Sequence, residues 1–390
     1  MHLLTSRFAP LSQTHAPIIG PTGSMPSKQL ERFVQSVNAH FHAPSQAWTP
    51  GPDRQVWWTC LLGDSPFQGF DATAPVEEFA AANGMRVVSL VERELDLDRV
   101  AFSRPLIIVA APRSGSTLLF EVMARCGDFW SIGDESIVVM DGIPRLAAQN
   151  RGHDSNALSA EDADADTTRA LLRRFVALLR SADGDWYPEL PESRRPSRIR
   201  FLEKTPRNAF RIPFLRAVFP DARFVYLYRS PEENIGSIMD VWQARSAVSY
   251  PNLPEWDGPP WCLLLPPGWR SLRGRSVEHI AAYQWGMTNK CIIDNLSALP
   301  ADAWCAVRYS DLLSQPGAVL RRLCDFAEVA WDSRLDDFCT KGLPLSGSVL
   351  TPPKEGKWKK HAALVEGAIQ AIEPLASEIE AFVQSAVRAK

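Results

Sequence analysis

Between residues 107 and 119 the chain reads Ile107-Ile108-Val109-Ala110-Ala111-Pro112-Arg113-Ser114-Gly115-Ser116-Thr117-Leu118-Leu119. A short apolar run stops at a proline. A small polar turn follows, and the apolar pattern then resumes with helical character. Strand, tight loop and helix start together build an anion site, because backbone N–H groups and the positive end of the helix dipole point at the loop. Arg113 adds a full positive charge, and Ser116 and Thr117 add hydroxyl donors. A phosphate or sulfate group suits such a loop. It is not a Walker A motif, which needs a lysine where Ser116 follows Gly115. On these residues alone, an ordinary strand-to-helix turn with surface hydroxyls is an equal alternative.

A second cationic constellation follows the run Arg223-Phe224-Val225-Tyr226-Leu227-Tyr228, in Arg229-Ser230-Pro231-Glu232-Glu233-Asn234-Ile235-Gly236-Ser237. Arg229 falls at the carboxyl end of a strand, where open α/β sheets bind ligands. Pro231 suits the first turn of a helix. Ser237, eight residues beyond Arg229, lies about two turns into that helix. The arginine as a bidentate fork and the serine hydroxyl could hold one phosphate. The competing reading is a surface ion pair from Arg229 to Glu232 or Glu233.

The elements that position these loops alternate between strand and helix. Strands are expected at 199–202, 223–228 and 305–309. Helices are expected from the first loop to Met123, then at 160–180, 209–219 and 277–296, after Pro316, and at 362–387. This alternation predicts a parallel sheet with helices on both faces, starting near Arg104. Ser159 can cap the 160–180 helix. Glu161, Asp162, Asp164 and Asp166 complement the start of that helix and do not read as a metal site. Residues 243–275 break the pattern with six prolines and Trp256, Trp261 and Trp269. Such a stretch is a binding loop or an ordered insert, and its tryptophans suit an acceptor pocket and a packed core equally. Residues 1–27 read as a loose arm. Residues 28–82 read as helical fragments with aromatics (Trp48, Trp57, Trp58, Phe67, Phe70). The expected organisation is an N-terminal extension over 1–100 and one α/β domain over 101–390.

Composition narrows the function classes. The chain has 390 residues with 45% hydrophobic and 22% charged residues, as in a globular protein. A net charge of -3 gives no global attraction to nucleic acid or membrane, so any anion site must be built locally. Seven scattered cysteines form no Cys-x-x-Cys pair, which points away from a zinc site or a disulfide framework and toward a reducing compartment. No signal peptide or membrane span is apparent, and the expected location is cytoplasmic.

Two anion sites on one sheet suit a nucleotide with two separated phosphate-like groups. The chain here resembles the sulfotransferases that use 3′-phosphoadenosine 5′-phosphosulfate, over about residues 105–361. Pro112-Arg113-Ser114-Gly115-Ser116-Thr117 is similar to the family's 5′-phosphosulfate loop, and Arg229 with Ser237 matches its 3′-phosphate motif. The likeness is greatest to bacterial and tyrosylprotein sulfotransferases. Gly133-Asp134-Glu135-Ser136 resembles the Gly-Glu-Glu-Thr that carries the tyrosylprotein enzymes' base, with one residue inserted. Glu135 is therefore the expected base, with Asp134 as the alternative. Glu203-Lys204-Thr205-Pro206-Arg207-Asn208 is similar to the lysine turn that contacts the transferred group, but lacks the histidine that serves the cytosolic phenol and steroid enzymes. Arg308-Tyr309-Ser310-Asp311-Leu312 resembles the segment whose tyrosine meets the adenine. Leu345-Ser346 and Lys357-Trp358 resemble the loop that covers the nucleotide.

The resemblance implies a P-loop-like fold and sulfuryl transfer from 3′-phosphoadenosine 5′-phosphosulfate, with adenosine 3′,5′-bisphosphate (PAP) as product. The implied catalytic residues are Arg113, Glu135 and Lys204. The implied nucleotide contacts are Arg113, Ser114, Gly115, Ser116, Thr117, Leu118, Arg229, Ser237, Tyr309, Ser346, Lys357 and Trp358. No metal is expected. The acceptor is a hydroxyl on a small or lipid-like molecule, which the aromatic insert suggests is bulky and partly apolar. A homodimer is left open. His279 and His361 are expected to be surface or packing residues. The rival readings are a P-loop-like small-molecule kinase and a non-catalytic nucleotide-binding protein.

Overall fold

The computed structural model describes residues 97–344 and 356–388, together with five short strands in the first 89 residues. Those strands are β1 (Thr5–Ser6), β2 (Pro17–Pro21), β3 (Ser45–Trp48), β4 (Trp57–Leu62) and β5 (Met85–Ser89). They form a sheet in the order β1-β4-β2-β5, with β3 also on β4. Strands were not expected here. Helical fragments were expected over 28–82, but residues 45–48 and 57–62 of that stretch are strand; the rest of it lies outside the described residues. The chain divides into two compact units. One comprises Met1–Val100, Ser131–Pro144 and Arg169–Ser197, and the other Ala101–Trp130, Arg145–Thr168 and Arg198–Lys390.

In the second unit, β6 (Ala101–Phe102) and β7 (Leu106–Val109) lead through the 112–115 loop into helix α1 (Ser116–Met123). Strand β8 (Phe129–Ser131) follows, and then the short helix α2 (Ile137–Asp141), which belongs to the first unit. The next helix is α3 (Ala165–Leu178), preceded by a 3₁₀ turn at Ala160–Asp162 rather than continuous from residue 160. Within that turn the Asp162 carboxylate accepts the Ser159 backbone N–H at 2.8 Å, and Asp164 accepts that of Thr167 at 2.8 Å. Two of the four acids, Asp162 and Asp164, thus accept backbone N–H groups ahead of and at the start of α3. The Asp164 carboxyl is held below its usual range, chiefly by the Thr167 N–H.

After the two-residue strand β9 (Arg180–Ser181) come β10 (Arg198–Lys204), α4 (Ile212–Val218), β11 (Arg223–Tyr228) and α5 (Pro231–Ala244). The insert supplies a small antiparallel pair, β12 (Val248–Tyr250) and β13 (Trp261–Cys262). Then follow α6 (Val277–Ser297), β14 (Trp304–Arg308), α7 (Tyr309–Ser314), α8 (Pro316–Ala327) and α9 (Asp336–Thr340). The last expected helix is two, α10 (Ala362–Gln370) and α11 (Leu375–Arg388). Pro374 lies in the break, where it cannot donate to a continuing helix.

The main sheet runs β14-β11-β7-β10-β8, with β6 also paired to β10, and all of these pairings are parallel. Strands β7 and β11 are nearly continuous apolar runs, because parallel strands are covered on both faces. On one face Leu106, Ile108, Val225, Leu227 and Val307 pack with Leu119, Val122 and Met123 of α1 and Leu320 and Leu323 of α8. From the other face Tyr226 donates its hydroxyl to Asn289 of α6 at 2.8 Å. The chain passes from β7 to β8 and β10 on one side and then to β11 and β14 on the other. The β7 loop thus sits at the switch point of the sheet.

Two of the three tryptophans of the insert are core. Trp261 and Trp269 are both fully buried, and the rings of Trp242, Trp256 and Trp269 lie 5.3, 4.9 and 5.5 Å from Trp261. Trp261 Nε1 donates to the Leu264 carbonyl and Trp269 Nε1 to that of His153. Of the two uses the sequence allowed these residues, packing is the one Trp261 and Trp269 serve. Trp261→Ala is expected to lower the unfolding free energy by about 3–5 kcal/mol, the usual cost of deleting a buried tryptophan. Urea denaturation measures this, and a change below about 1 kcal/mol would mean the ring cluster is not closely packed.

Candidate anion-binding site

Four of the parallel strands deliver a candidate residue to the same end of the sheet. Strand β7 leads to Arg113, β10 ends on Lys204, β11 is followed by Arg229, and β14 by Tyr309. The loop after β7 turns through two left-handed residues, Arg113 at φ 68° and Gly115 at φ 90°. Glycine carries such a φ freely, whereas an arginine there is strained by about 1–2 kcal/mol. A Cβ on Gly115 would collide with the Tyr309 ring. Tyr309 is half-buried, and burial raises its phenol pKa.

The loop residues divide by where they face. Ser114 is 1% exposed, and its hydroxyl donates to Asn234 Oδ1 at 2.8 Å. Its backbone N–H donates to the Ala111 carbonyl at 3.3 Å. Both Ser114 donors are thus committed inside the protein. Ser116 is buried at the first position of α1, and Leu118 is a core residue of that helix. Thr117 accepts the Lys204 ammonium at 3.1 Å, so the first loop and the lysine turn meet through these two side chains. Lys204 is only 3% exposed. Beside it Glu203, fully buried, accepts the Thr205 hydroxyl at 2.8 Å and the Asn208 amide at 3.0 Å, which shapes the turn that carries the lysine.

Arg229 makes the ion pair that the sequence offered as the competing reading. Its guanidinium lies 3.0 Å from the Glu233 carboxylate, one turn into α5, where an acid also favours the helix dipole. It further donates to the Arg113 carbonyl at 2.9 Å and lies 5.0 Å from the Tyr309 ring centre. Its Nε is buried and has no hydrogen-bond partner among the described residues. A buried donor of a cation without an acceptor is costly unless a ligand supplies one.

Ser237 is half-buried on α5, next to Gly236. A Cβ on Gly236 would come within 2.8 Å of Trp358 Cβ, so the glycine lets the 357–361 turn lie against the helix. Asp240, one turn on, holds that turn through Lys360 at 2.6 Å, His361 at 3.5 Å and Lys357 at 3.9 Å. Gly356 donates its N–H to Glu233 at 2.8 Å. Lys357 and Trp358 are thereby brought to the helix that carries Ser237. Ser346 lies outside the described residues.

Asp134 and Glu135 lie in the first unit, in the turn between β8 and α2. Both are half-buried, and the Glu135 backbone N–H donates to the Asp134 carboxylate at 2.5 Å. His279 Nδ1 lies 2.8 Å from the Ser276 hydroxyl at the start of α6. His279 is exposed and His361 is half-buried beside Asp240.

Sequence reasoning missed Asn234, which is fully buried and joins α5 to the loop. Its signal was present, because Asn234 shares a helix face with Ile238 and Val241, four and seven residues on.

Gly115→Ala is expected to destabilise the protein by at least about 1–2 kcal/mol through the left-handed φ alone. Tyr309→Ala added to Gly115→Ala removes the collision but leaves that conformational cost. Chemical denaturation of both variants checks this, and wild-type stability in Gly115→Ala would show that the loop turns differently.

Residues 105–259 match the model of the sulfotransferase family. No curated protein matches the chain. Among solved structures, the sulfotransferase domain from the curacin biosynthetic pathway is similar at 20% identity and TM-score 0.39, over 73% of this chain and 98% of that one. Sulfotransferase STF1 of Mycobacterium tuberculosis H37Rv is similar at 16% identity and TM-score 0.37, over 69% and 78%. Mouse sulfotransferase SULT7A1, solved with PAP, is similar at 11% identity and TM-score 0.34, over 77% and 97%. The family match spans the segment that carries the 112–117 loop, the Lys204 turn and the Arg229 helix.

Proposed function

We propose that the protein transfers a sulfuryl group from 3′-phosphoadenosine 5′-phosphosulfate to a hydroxyl acceptor. The observation that carries this reading is the convergence of Arg113, Lys204 and Arg229 on one edge of a parallel sheet, with the first loop tied to both neighbouring strands. The family match over the same segment supports it. The orphan Nε of Arg229 fits a second anionic group beyond the one that the 113–117 loop receives. A single-phosphate nucleotide leaves that group unused.

The chemistry follows the logic of phosphoryl transfer, where positioning and charge stabilisation do most of the work. The acceptor oxygen attacks sulfur in line. The bond from sulfur to the bridging phosphate oxygen breaks, and adenosine 3′,5′-bisphosphate leaves. Arg113 and Lys204 stabilise negative charge on the sulfuryl oxygens and on the leaving phosphate. The Lys204–Thr117 hydrogen bond aims the ammonium at the start of α1. Arg229 and Ser237 hold the 3′-phosphate, and Tyr309 offers a face to the adenine. Glu135 takes the acceptor's proton, as the resemblance of Gly133-Asp134-Glu135-Ser136 to the tyrosylprotein enzymes' base motif implies. With Trp261 and Trp269 buried in the core, other residues set the bulk of the acceptor that carries the hydroxyl.

Adenosine 3′,5′-bisphosphate should raise the melting temperature by mass action, and 5′-AMP and ATP much less. Differential scanning fluorimetry measures this. Equal stabilisation by AMP would remove the 3′-phosphate site, and a response to ATP with Mg²⁺ alone would favour a kinase.

Glu135→Gln keeps the shape of the side chain and removes the base. Loss of general base catalysis typically costs ~10²–10⁴-fold, so kcat should fall by about that much while donor affinity holds. Asp134→Asn should do less. The reverse order, read from single-turnover rates, would make Asp134 the base.

A further inference from the structure

We propose that Asn234 is a positioning residue for nucleotide binding, one that locks the 112–115 loop to helix α5 so that two anion sites keep a fixed spacing. The inference rests on the reading of the two loops as sites for the two ends of one nucleotide.

Asn234 is fully buried in the second turn of α5, and burying an amide is costly unless both ends are hydrogen-bonded. Both ends are, and both partners are on the same loop. Its Oδ1 accepts the Ser114 hydroxyl at 2.8 Å, and its Nδ2 donates to the Pro112 carbonyl at 2.8 Å. The two partners flank Arg113, whose own carbonyl accepts Arg229 at 2.9 Å. Three successive loop residues are therefore tied to the segment 229–234. The amide is planar, so two bonds from it fix the orientation of the loop as well as its distance. They also hold Arg113 at φ 68°, a conformation that persists only where its surroundings impose it.

This geometry bears on a ligand that touches both sites. For such a ligand the second contact is intramolecular, and its advantage depends on how well the spacing of the sites matches the ligand's span. A ligand that touches one site is indifferent to that spacing. Asn234 therefore acts on selectivity for a bisphosphate over a monophosphate, whereas a purely structural amide would weaken all ligands together.

Calorimetric titration of the full-length protein with adenosine 3′,5′-bisphosphate, 5′-AMP and 3′-AMP tests this. In Asn234→Leu, close in size but without hydrogen bonds, bisphosphate affinity should fall about tenfold or more, from an advantage of order 10²-fold. Affinity for either monophosphate should fall less than about threefold. Equal losses for all three ligands, or no loss, would overturn the proposal. If the wild type itself shows no preference for the bisphosphate, the two-site reading fails, a result distinct from any obtained with the variant. Should Asn234→Leu not fold, as judged by circular dichroism, Ser114→Ala decides. It removes one of the two bonds and should lower the selectivity ratio by about fivefold, the worth of one hydrogen bond. An unchanged ratio in Ser114→Ala would overturn the proposal.

Discussion

Strand β7 has a hydrogen-bonded neighbour on each side, and the positions of the cationic residues are set relative to it. Its four residues are buried, and its register is fixed by parallel ladders to β10 on one side and β11 on the other. Its register with β10 pairs Ile108 with Lys204, and its register with β11 pairs Val109 with Tyr226. The lysine therefore arrives level with the strand's end, and Arg229 arrives three residues beyond Tyr226. The backbone ladder brings the two cations to the loop, and local contacts only complete the approach. Helix α1 then has to start at once, which the left-handed turn at Arg113 and Gly115 makes feasible.

Gathering cations at one edge raises a second constraint, because each is partly or wholly removed from water. Lys204 is buried and donates to the Thr117 hydroxyl. Arg229 is met by Glu233 and by the Arg113 carbonyl. The Arg229 guanidinium therefore already has a resident counterion. The stack of Arg229 over Tyr309, which in turn covers Gly115, adds a cation–π contact that keeps the fork near the loop.

The apolar runs of β10, β11 and β14 and the proline starts of α5 and α8 were legible in the sequence, because burial on both faces and a missing N–H each leave a mark in one chain segment. The 112–117 loop and the Arg229 turn were legible for the same reason. What was not legible depends on partners distant in sequence. Asn234 meets residues 120 and 122 positions away, and Asp240 holds a turn more than a hundred residues on. The tryptophans of the insert could not be divided between pocket and core by composition, since both uses favour the same residue. Nothing in the sequence marked the five N-terminal strands over the helical fragments expected there.

The ion pair between Arg229 and Glu233 bears on what a 3′-phosphate would gain. An arriving phosphate exchanges with or shares the guanidinium, so the benefit is the difference between two pairings and not the whole of one. Glu233 also accepts Gly356, so it has a second donor to satisfy it if the arginine turns toward a ligand. The guanidinium has a spare Nε, so it can serve a phosphate before letting the carboxylate go. In the proposed reading, selectivity for a bisphosphate cannot then come from the charge of Arg229 alone. It has to come from where that charge is held relative to the first loop, and the short links from Arg229 and Asn234 to residues 112–114 set that distance.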